Sequence, residues 1–286
     1  GSLRPNVFAQ HDISRAAEGE RMHTNRILRE RVAGQSAMAA VVRAQESAPR
    51  PGPLARLFGA SPLTVAARAH YRGALGELLV GDALENLGLT WDVLHDLPLE
   101  AGVLDHLLIG RAGVFTVHAA NFGRNEVTVE GSAVTVGGEH LDDIEQAARQ
   151  AGEVSRRLSD AAGATVRVRP LLVVVDPLKL VVKAPAADVR VIASRDLQGV
   201  LARAPRTLTG EEVAHISDVA DLVSTWPTAP EVGLDTQKLH RDFGVIRTAV
   251  TDALVRRILW AAAATIVVYV GVCSVIATLV SVVMRS

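Results

Sequence analysis

The sequence predicts an α/β protein with a mixed sheet, preceded by an N-terminal helix and followed by a membrane-spanning helix. Short segments rich in valine and leucine lie between residues 91 and 193, separated by glycine, asparagine or aspartate, a pattern typical of strands. Helical patterns precede, interrupt and follow these segments. Near the C-terminus, residues 258–284 form 27 consecutive positions without a charge, more than the roughly 20 needed to cross a bilayer core.

The first segment, residues 1–48, is predicted to be a basic helical region. A loosely helical pattern covers residues 14–46, with Ser14 as its N-cap, and residues 1–68 contain ten arginines against five acidic residues. The arginine-rich face could rest on anionic lipid. The alternative, which we favour, is a solvated helix that packs on the domain or on itself. Residues 49–60, rich in proline and glycine, are predicted to be a linker.

The main domain, residues 61–226, is predicted to open with a helix. Ser61 fits the N-cap and Pro62 the first helical position, and Gly88 fits the end of the helix. The pattern then changes to a meander of short strands. The meander comprises residues 91–99, 103–109, 114–117, 126–129 and 133–136, the last two joined as a hairpin.

The rest of the domain is predicted to alternate helices and strands. Residues 171–175 are continuously apolar, which suits a strand buried on both faces. Thr209 and Glu212 have the spacing of a capping box at a helix start. The predicted order is a helix at 141–161, strands at 171–175 and 189–193, and helices at 196–204 and 209–224.

Residues 258–284 are predicted to form one transmembrane helix, reached through a polar juxtamembrane segment at 227–257. A buried core helix of this length without a charge would be unusual. Only Arg285 follows the span, so the positive-inside rule places residues 1–257 in the cytoplasm, in a single-pass, tail-anchored arrangement in the cytoplasmic membrane. The arginines on the N-terminal side are Arg241, Arg247, Arg256 and Arg257.

Small residues recur along one face of the predicted span. Such residues let helices approach closely in lipid, so we expect a homo-oligomer through this face. The alternative is that they only fill a lipid-facing helix. The stripe consists of Ala264, Gly271, Ser274, Thr278 and Ser281.

Composition excludes several classes of protein. Cys273 is the single cysteine, so a disulfide framework within the chain and a multi-cysteine zinc site are excluded. Residues 69–205 contain 13 basic and 18 acidic residues, which disfavours nucleic acid as a partner. No P-loop, G-x-S-x-G or G-x-G-x-x-G motif occurs. Arginine supplies 27 of the 30 basic residues, which indicates a bacterium of high GC content.

Three motifs carry a resemblance to a known family. They are GALGE at 73–77, VLDHLLIG at 103–110 and GVFTV at 113–117, and in this order they resemble the nuclease-related domain (NERD) over roughly residues 71–201. The resemblance implies a restriction-endonuclease-like core of the PD-(D/E)xK type. It also implies a glutamine on the helix after the hairpin, where Gln146 lies.

The sequence departs from that family where its catalytic triad should be. The family has Glu-x-Lys after the aspartate that corresponds to Asp105, whereas this chain has His118 and Ala120. The missing carboxylate would help bind a divalent metal, and the missing lysine would orient the attacking water. We therefore expect no catalytic residue and no cofactor at the degenerate site. Its positions are Glu77, Asp105, His118, Ala120 and Gln146.

The sequence leads to two functional hypotheses. The favoured one is a membrane-anchored pseudoenzyme, a catalytically inactive nuclease-like domain that acts as a binding or scaffold module for a protein partner. The alternative is a membrane-tethered nuclease in which Glu77, Asp105 and His118 bind a divalent metal such as Mn²⁺, Fe²⁺ or Zn²⁺.

Overall fold

The computed structural model describes residues 28–46, 49, 51–100, 102–227 and 235–284. These residues divide into two compact units. The first contains the described residues up to Met38 and those from His70 to Thr236. The second contains Ala39–Ala69 and the residues from Gln237 onward.

The N-terminal region is not the single continuous helix predicted for residues 14–46. Residues 14–27 lie outside the described residues, and helix α1 spans only Gln35–Glu46. Before it the chain turns at Gly34, whose φ of +69° lies in the left-handed region that glycine tolerates. The segment 28–38 also contributes to the core, since Leu28 and Met38 are fully buried.

Two boundaries before the sheet differ from the prediction. A short helix, α2, occupies Pro53–Leu57 inside the predicted linker. Helix α3 spans Val65–Glu85, so its start is three residues later than Pro62. The Thr64 hydroxyl accepts a hydrogen bond from the Ala67 N–H at 3.1 Å and takes the capping role predicted for Ser61, whose hydroxyl binds Leu63 N at 3.3 Å.

The central sheet of the first unit has five strands among the described residues, in the order β1-β2-β3-β7-β9. The first three pair antiparallel and the last three parallel, which confirms the predicted mixed α/β architecture. The strands are β1 (Trp91–Leu99), β2 (Gly102–Gly110), β3 (Gly113–Ala120), β7 (Val168–Val174) and β9 (Arg190–Ala193).

A second sheet has the order β6-β5-β4-β8. The predicted hairpin is confirmed as β4 (Glu126–Glu130) and β5 (Ala133–Val136), whereas β6 (Glu139–Leu141) and β8 (Lys179–Ala184) were not predicted. Strand β8 pairs in parallel with β4, about 50 residues earlier. Its side chains are exposed or partly buried, so its sequence shows no clean alternation.

Three more helices complete the first unit: α4 (Asp143–Ala162), α5 (Leu197–Ala202) and α6 (Gly210–Ala220). The predicted capping box of Thr209 and Glu212 is confirmed at the start of α6, with both reciprocal hydrogen bonds present. Helix α4 ends at Gly163, which adopts a φ of +66° and closes the helix in the usual left-handed cap.

The central sheet is covered on both faces. Val80 and Leu84 of α3 share one apolar cluster with Ala119. Ile144 and Ala147 of α4 share another cluster with Ala120. Since successive residues of a strand point to opposite faces, α3 and α4 lie on opposite faces of β3.

The second unit contains one long helix, α7 (Thr236–Val283), of 48 residues. It is the one helix among the described residues that is long and apolar enough to cross a membrane, and none of its most apolar 18 residues is buried within the protein. This exposure argues against a buried core helix. The juxtamembrane residues from Thr236 onward are therefore helical and continuous with the candidate span.

Candidate functional site

His118 and Ala120 lie at the C-terminal end of β3, and Asp105 of β2 lies next to His118. His118 lies between two carboxylates, with its Nδ1 atom 3.1 Å from Oδ2 of Asp105 and its Nε2 atom 3.5 Å from Oδ1 of Asp143. The Nδ1 atom is buried and not aligned for a hydrogen bond, so its contact with Asp105 is an ion pair. Oδ2 of Asp105 also accepts a hydrogen bond from the Ala119 N–H at 2.7 Å.

The two carboxylates determine the protonation state of the imidazole. Burial alone would lower the pKa of His118, but Asp105 and then Asp143 outweigh it and raise the pKa to about 10. Burial would likewise raise the pKa of Asp105, but His118 lowers it overall. At neutral pH the site therefore holds an imidazolium next to an ionised Asp105.

Ala120 lies at the position where the resemblance implies a lysine. It is buried, shares the α4 face with His118, and packs in the cluster that includes Ile144 and Leu172. A methyl group in this place supplies apolar contact and no charge. No described basic side chain forms an ion pair with Asp105 or Asp143 except His118.

Glu77 belongs to α3 and therefore approaches from the other face of the sheet. The helix comes close to the end of β3 because residue 76 is glycine: a Cβ there would lie 3.0 Å from Cβ of Asn121. Burial, the charge of Asp105 and the charge of Asp96 raise the pKa of Glu77 to about 9. Its carboxyl is thus protonated at neutral pH.

Gln146, the glutamine that the resemblance implies, is less buried than the next glutamine of α4, Gln150. Gln146 is partly buried in the first turns of α4, where its N–H donates to the carbonyl of Asp142. Gln150, one turn later, is buried and donates from Nε2 to the Val103 carbonyl at 2.9 Å. Gln150 therefore ties α4 to the start of β2.

A second buried polar cluster lies beside the first, on β1 and β2. His95 and His106 are register partners, and their Nδ1 atoms lie 2.8 Å apart. One nitrogen must donate and the other accept, so the accepting ring must be neutral. Burial lowers the pKa of His95 to about 4 and, with the neighbouring His95, that of His106 to about 3.

The N-terminal segment forms a further buried polar cluster around Asp96. Asp96 is fully buried and adopts a φ of +56°. Arg31 pairs with its carboxylate and donates from Nε to its backbone carbonyl at 2.6 Å. Ser36 donates to the carboxylate from both its N–H and its hydroxyl. Two arginines of the predicted basic helix thus pair within the first unit, because Arg29 bridges Asp92 and Asp221.

Sequence reasoning missed Asp143, Asp96 and Arg31. Asp143 follows the hairpin and begins a helix, and an acidic residue in a first helical turn is a recognisable signal. That signal does not say which strand the carboxylate faces. The partners of Asp96 lie about 60 residues away in sequence, and no local pattern could have paired them.

An arginine-lined cavity of about 600 Å³ lies at the other end of the parallel strands. Arg169 of β7 stacks over Phe115 with its guanidinium carbon 4.3 Å from the ring centroid. Arg190 and Arg203 line the same cavity, together with Asp188 and several apolar side chains. Within the described residues, none of these three arginines forms an ion pair with a carboxylate.

Comparison with known families identifies the core of the first unit. Residues 72–175, just over a third of the chain, match the family model described as Nuclease-related domain (NERD). The match contains Glu77, Asp105, His118, Ala120 and Gln146. No curated protein and no solved structure matches the chain significantly.

The donor set does not fit the divalent metal that a nuclease core would use. No group of three or more His, Cys, Asp or Glu side chains in the described part of the chain is arranged to hold a metal ion. Both ring nitrogens of His118 lie within 3.5 Å of a carboxylate oxygen. Glu77 approaches from the other face of the sheet, and Oδ2 of Asp105 already accepts a hydrogen bond from the Ala119 N–H.

Proposed function

We propose that this protein is a membrane-anchored, catalytically inactive nuclease-like domain that acts as a binding module at the cytoplasmic face. One observation carries the inactive part of the proposal: His118 stands between Asp105 and Asp143. The pKa of His118 is raised to about 10, so its side chain is positively charged. That charge neutralises carboxylates that a metal ion would otherwise use as ligands.

An imidazolium cannot replace the metal chemically. A divalent metal would bind the scissile phosphate, generate hydroxide from water and stabilise the charge of the transition state. Both ring nitrogens of His118 lie within 3.5 Å of a carboxylate oxygen, so the space beside each nitrogen is already occupied. Ala120 supplies no group to orient a water. The residues support a folded core and no hydrolytic step.

The anchoring part of the proposal rests on α7. Its apolar half is exposed and long enough to span a bilayer, and Arg256 and Arg257 directly precede it. The arginines on that side favour a cytoplasmic location for the nuclease-related domain.

The partner part of the proposal rests on the arginine-lined cavity. Arg169, Arg190 and Arg203 line one cavity, which also has apolar walls and the ring of Phe115. Guanidinium groups favour carboxylates in bidentate geometry, and the apolar walls suit a side chain of a protein. We therefore infer that an acidic protein segment is the partner.

The decisive experiment measures cleavage by the full chain in detergent or nanodiscs. We expect no cleavage of plasmid DNA, linear DNA or RNA with Mg²⁺ or Mn²⁺. Metal-dependent cleavage that Asp105→Ala abolishes would overturn the inactive assignment and support the alternative, a tethered nuclease with an altered ligand set.

Restoration of the family triad provides the matched control. His118→Glu combined with Ala120→Lys rebuilds Glu-x-Lys next to Asp105. Because Ala120 is buried, folding of the double variant is checked by thermal unfolding before activity is assayed. Metal-dependent cleavage in the double variant alone would support a retained fold whose chemistry has been lost.

A further inference from the structure

Within the second unit, residues 53–60 form a collar against α7 at the point where its charged half meets its apolar half. Trp260 donates from Nε1 to the Leu57 carbonyl at 2.9 Å, and its ring lies 5.0 Å from that of Phe58. Arg257 donates to the Gly59 carbonyl at 3.3 Å. These contacts fix the collar at the level of the first turn of the apolar half.

The backbones of the collar and the helix touch directly. Gly59 adopts a φ of +76°, and a Cβ there would lie 2.5 Å from the Ala253 carbonyl oxygen and 2.7 Å from the Arg257 nitrogen. Only glycine combines this conformation with this approach. Gly59 therefore allows the collar to pack directly against the backbone of α7.

The outer side of the collar is apolar and exposed. Leu54 is 71% exposed, Leu57 52% and Phe58 56%. Helix α2 contains no buried residue. On α7 at the same level, Leu254, Ile258 and Leu259 are also exposed apolar side chains. Lipid covers the exposed apolar surface of a membrane-spanning helix. We therefore expect lipid to contact the collar as well.

The charges next to the collar are those that an anionic lipid surface attracts. Arg56 of α2 and Arg256 and Arg257 of α7 lie at the same level, since Arg256 also donates to the Arg56 carbonyl at 3.4 Å. In the described residues none of the three forms an ion pair. Basic residues at this depth bind phosphate headgroups, and tryptophan favours the same interface.

We propose that residues 53–60 lie in the membrane interface as part of the anchor. Leu54, Leu57 and Phe58 insert among the upper acyl chains, and Arg56, Arg256 and Arg257 bind the headgroups of anionic phospholipids. The anchor would then consist of a span and an interfacial element held to it by Trp260.

Depth measurement tests the insertion. In full-length protein with Cys273→Ala, a nitroxide is attached at Leu54→Cys and, in a matched control, at Val65→Cys, which is 82% exposed in the same unit. In nanodiscs containing phosphatidylglycerol we expect the label at position 54 to be accessible to oxygen and shielded from a water-soluble nickel reagent. The label at position 65 should show the opposite. The proposal rests on the proposed anchoring by α7, so a third label at Val267→Cys, which is 71% exposed within the candidate span, reports on the span itself. Equal aqueous accessibility at positions 54 and 65 with position 267 shielded would overturn the interfacial role of the collar, whereas aqueous access at all three would overturn the anchoring.

The contact between Gly59 and the backbone of α7 offers a second test. Gly59→Val places side-chain atoms on the Ala253 carbonyl, whereas Gly52→Ala meets nothing within 4 Å. We expect Gly59→Val to move the Leu54 label towards water and Gly52→Ala to leave it unchanged. A label that stays buried in Gly59→Val would contradict the role of this contact.

Lipid retention tests the headgroup part. Native mass spectrometry compares phosphatidylglycerol with phosphatidylcholine on the wild type and on Arg56→Gln/Arg256→Gln/Arg257→Gln. We expect several-fold less retained phosphatidylglycerol in that variant. Arg241→Gln/Arg247→Gln, which removes charges nearer the N-terminus of the same helix, should retain phosphatidylglycerol at wild-type levels. Equal retention in all three proteins would refute binding of anionic headgroups by the collar.

Discussion

His118 is the residue on which the interpretation of the nuclease-related domain depends most. Its pKa is raised to about 10 by Asp105 and Asp143 against the cost of burial. A histidine with a raised pKa binds its proton more tightly in the folded state than in the unfolded state. Its contribution is therefore complete below about pH 6.5, the unfolded value, and is lost as the pH rises through 10.

The raised pKa of His118 gives the first prediction, a stabilisation that is lost as the pH rises. His118→Gln leaves two carboxylates without their cation, and we expect it to lower the free energy of unfolding by about 3 kcal/mol at pH 6. The loss relative to wild type should shrink steadily between pH 7 and pH 10. Denaturant unfolding at a series of pH values measures it, with His70→Gln, an exposed histidine, as the control. A difference that does not vary with pH would contradict a protonated His118.

Glu77 gives a prediction of opposite sign. Burial and two neighbouring carboxylates raise its pKa to about 9, so above its ordinary pKa of 4.5 the unfolded chain ionises this group and the folded chain does not. Stability is thereby lost progressively from about pH 4.5 to pH 9. We expect Glu77→Gln to stabilise the protein by up to about 3 kcal/mol at pH 7 and by little at pH 4. A variant less stable than wild type at pH 7 would show that the ionised carboxylate is needed.

Among the elements, the segment 28–38 has a larger part in the first unit than a solvated helix would. It passes so close to α3 that a Cβ at Gly81 would lie 2.3 Å from Cβ of Ala33. Its Arg31 neutralises Asp96, which has no exposed surface. Arg29 and Arg31 pair with aspartates of the domain, which agrees with the favoured hypothesis of packing on the domain and leaves fewer arginines for the alternative of lipid binding.

Removal of the Arg31 charge tests the structural role of this segment. Arg31→Met leaves a buried carboxylate without its cation, and we expect a loss of about 3–5 kcal/mol in the free energy of unfolding. Arg43→Met, at an exposed position of α1, should change stability by less than about 0.5 kcal/mol. Thermal unfolding of the two variants side by side measures the difference, and equal melting temperatures would exclude a structural ion pair.

The small-residue face of α7 carries a prediction about assembly. A Cβ at Gly271 would meet nothing within 4 Å, so a larger side chain fits within the monomer. If helices associate through this face, Gly271→Leu should reduce self-association in a membrane reporter assay. Val272→Leu, which leaves the small residues in place, serves as the matched control. An unchanged signal in Gly271→Leu would count against this interface.

At the scale of the whole molecule, the nuclease-related domain and the long helix together predict an orientation. Arginines precede the apolar half of α7, so the domain should face the cytoplasm. Protease added to right-side-out membrane vesicles should leave residues 28–227 intact, and the same protease should digest them in inverted vesicles. Digestion in the right-side-out sample would reverse the orientation.

Much of the architecture follows from local pattern. The strands β1 to β5, β7 and β9 agree with alternating or continuous apolar runs bounded by turn residues, and the capping box at Thr209 and Glu212 is a local signal that the structure confirms. Length and absence of charge were enough to identify the candidate span. Strand β8 escaped prediction because its stability as a strand comes from pairing with β4 and not from its own sequence.

The candidate site likewise has features that the sequence predicts and features that depend on the packing of the chain. The sequence by itself indicated that Asp105 and His118 stand on neighbouring strands, and the resemblance to the nuclease-related domain implies Glu-x-Lys at the positions of His118 and Ala120. Only the tertiary structure decided the charge of that histidine, because Asp143 reaches it from a helix that begins 25 residues later. Burial and long-range charge, which set a pKa, are properties of the packed chain. No spacing in the sequence could have specified them.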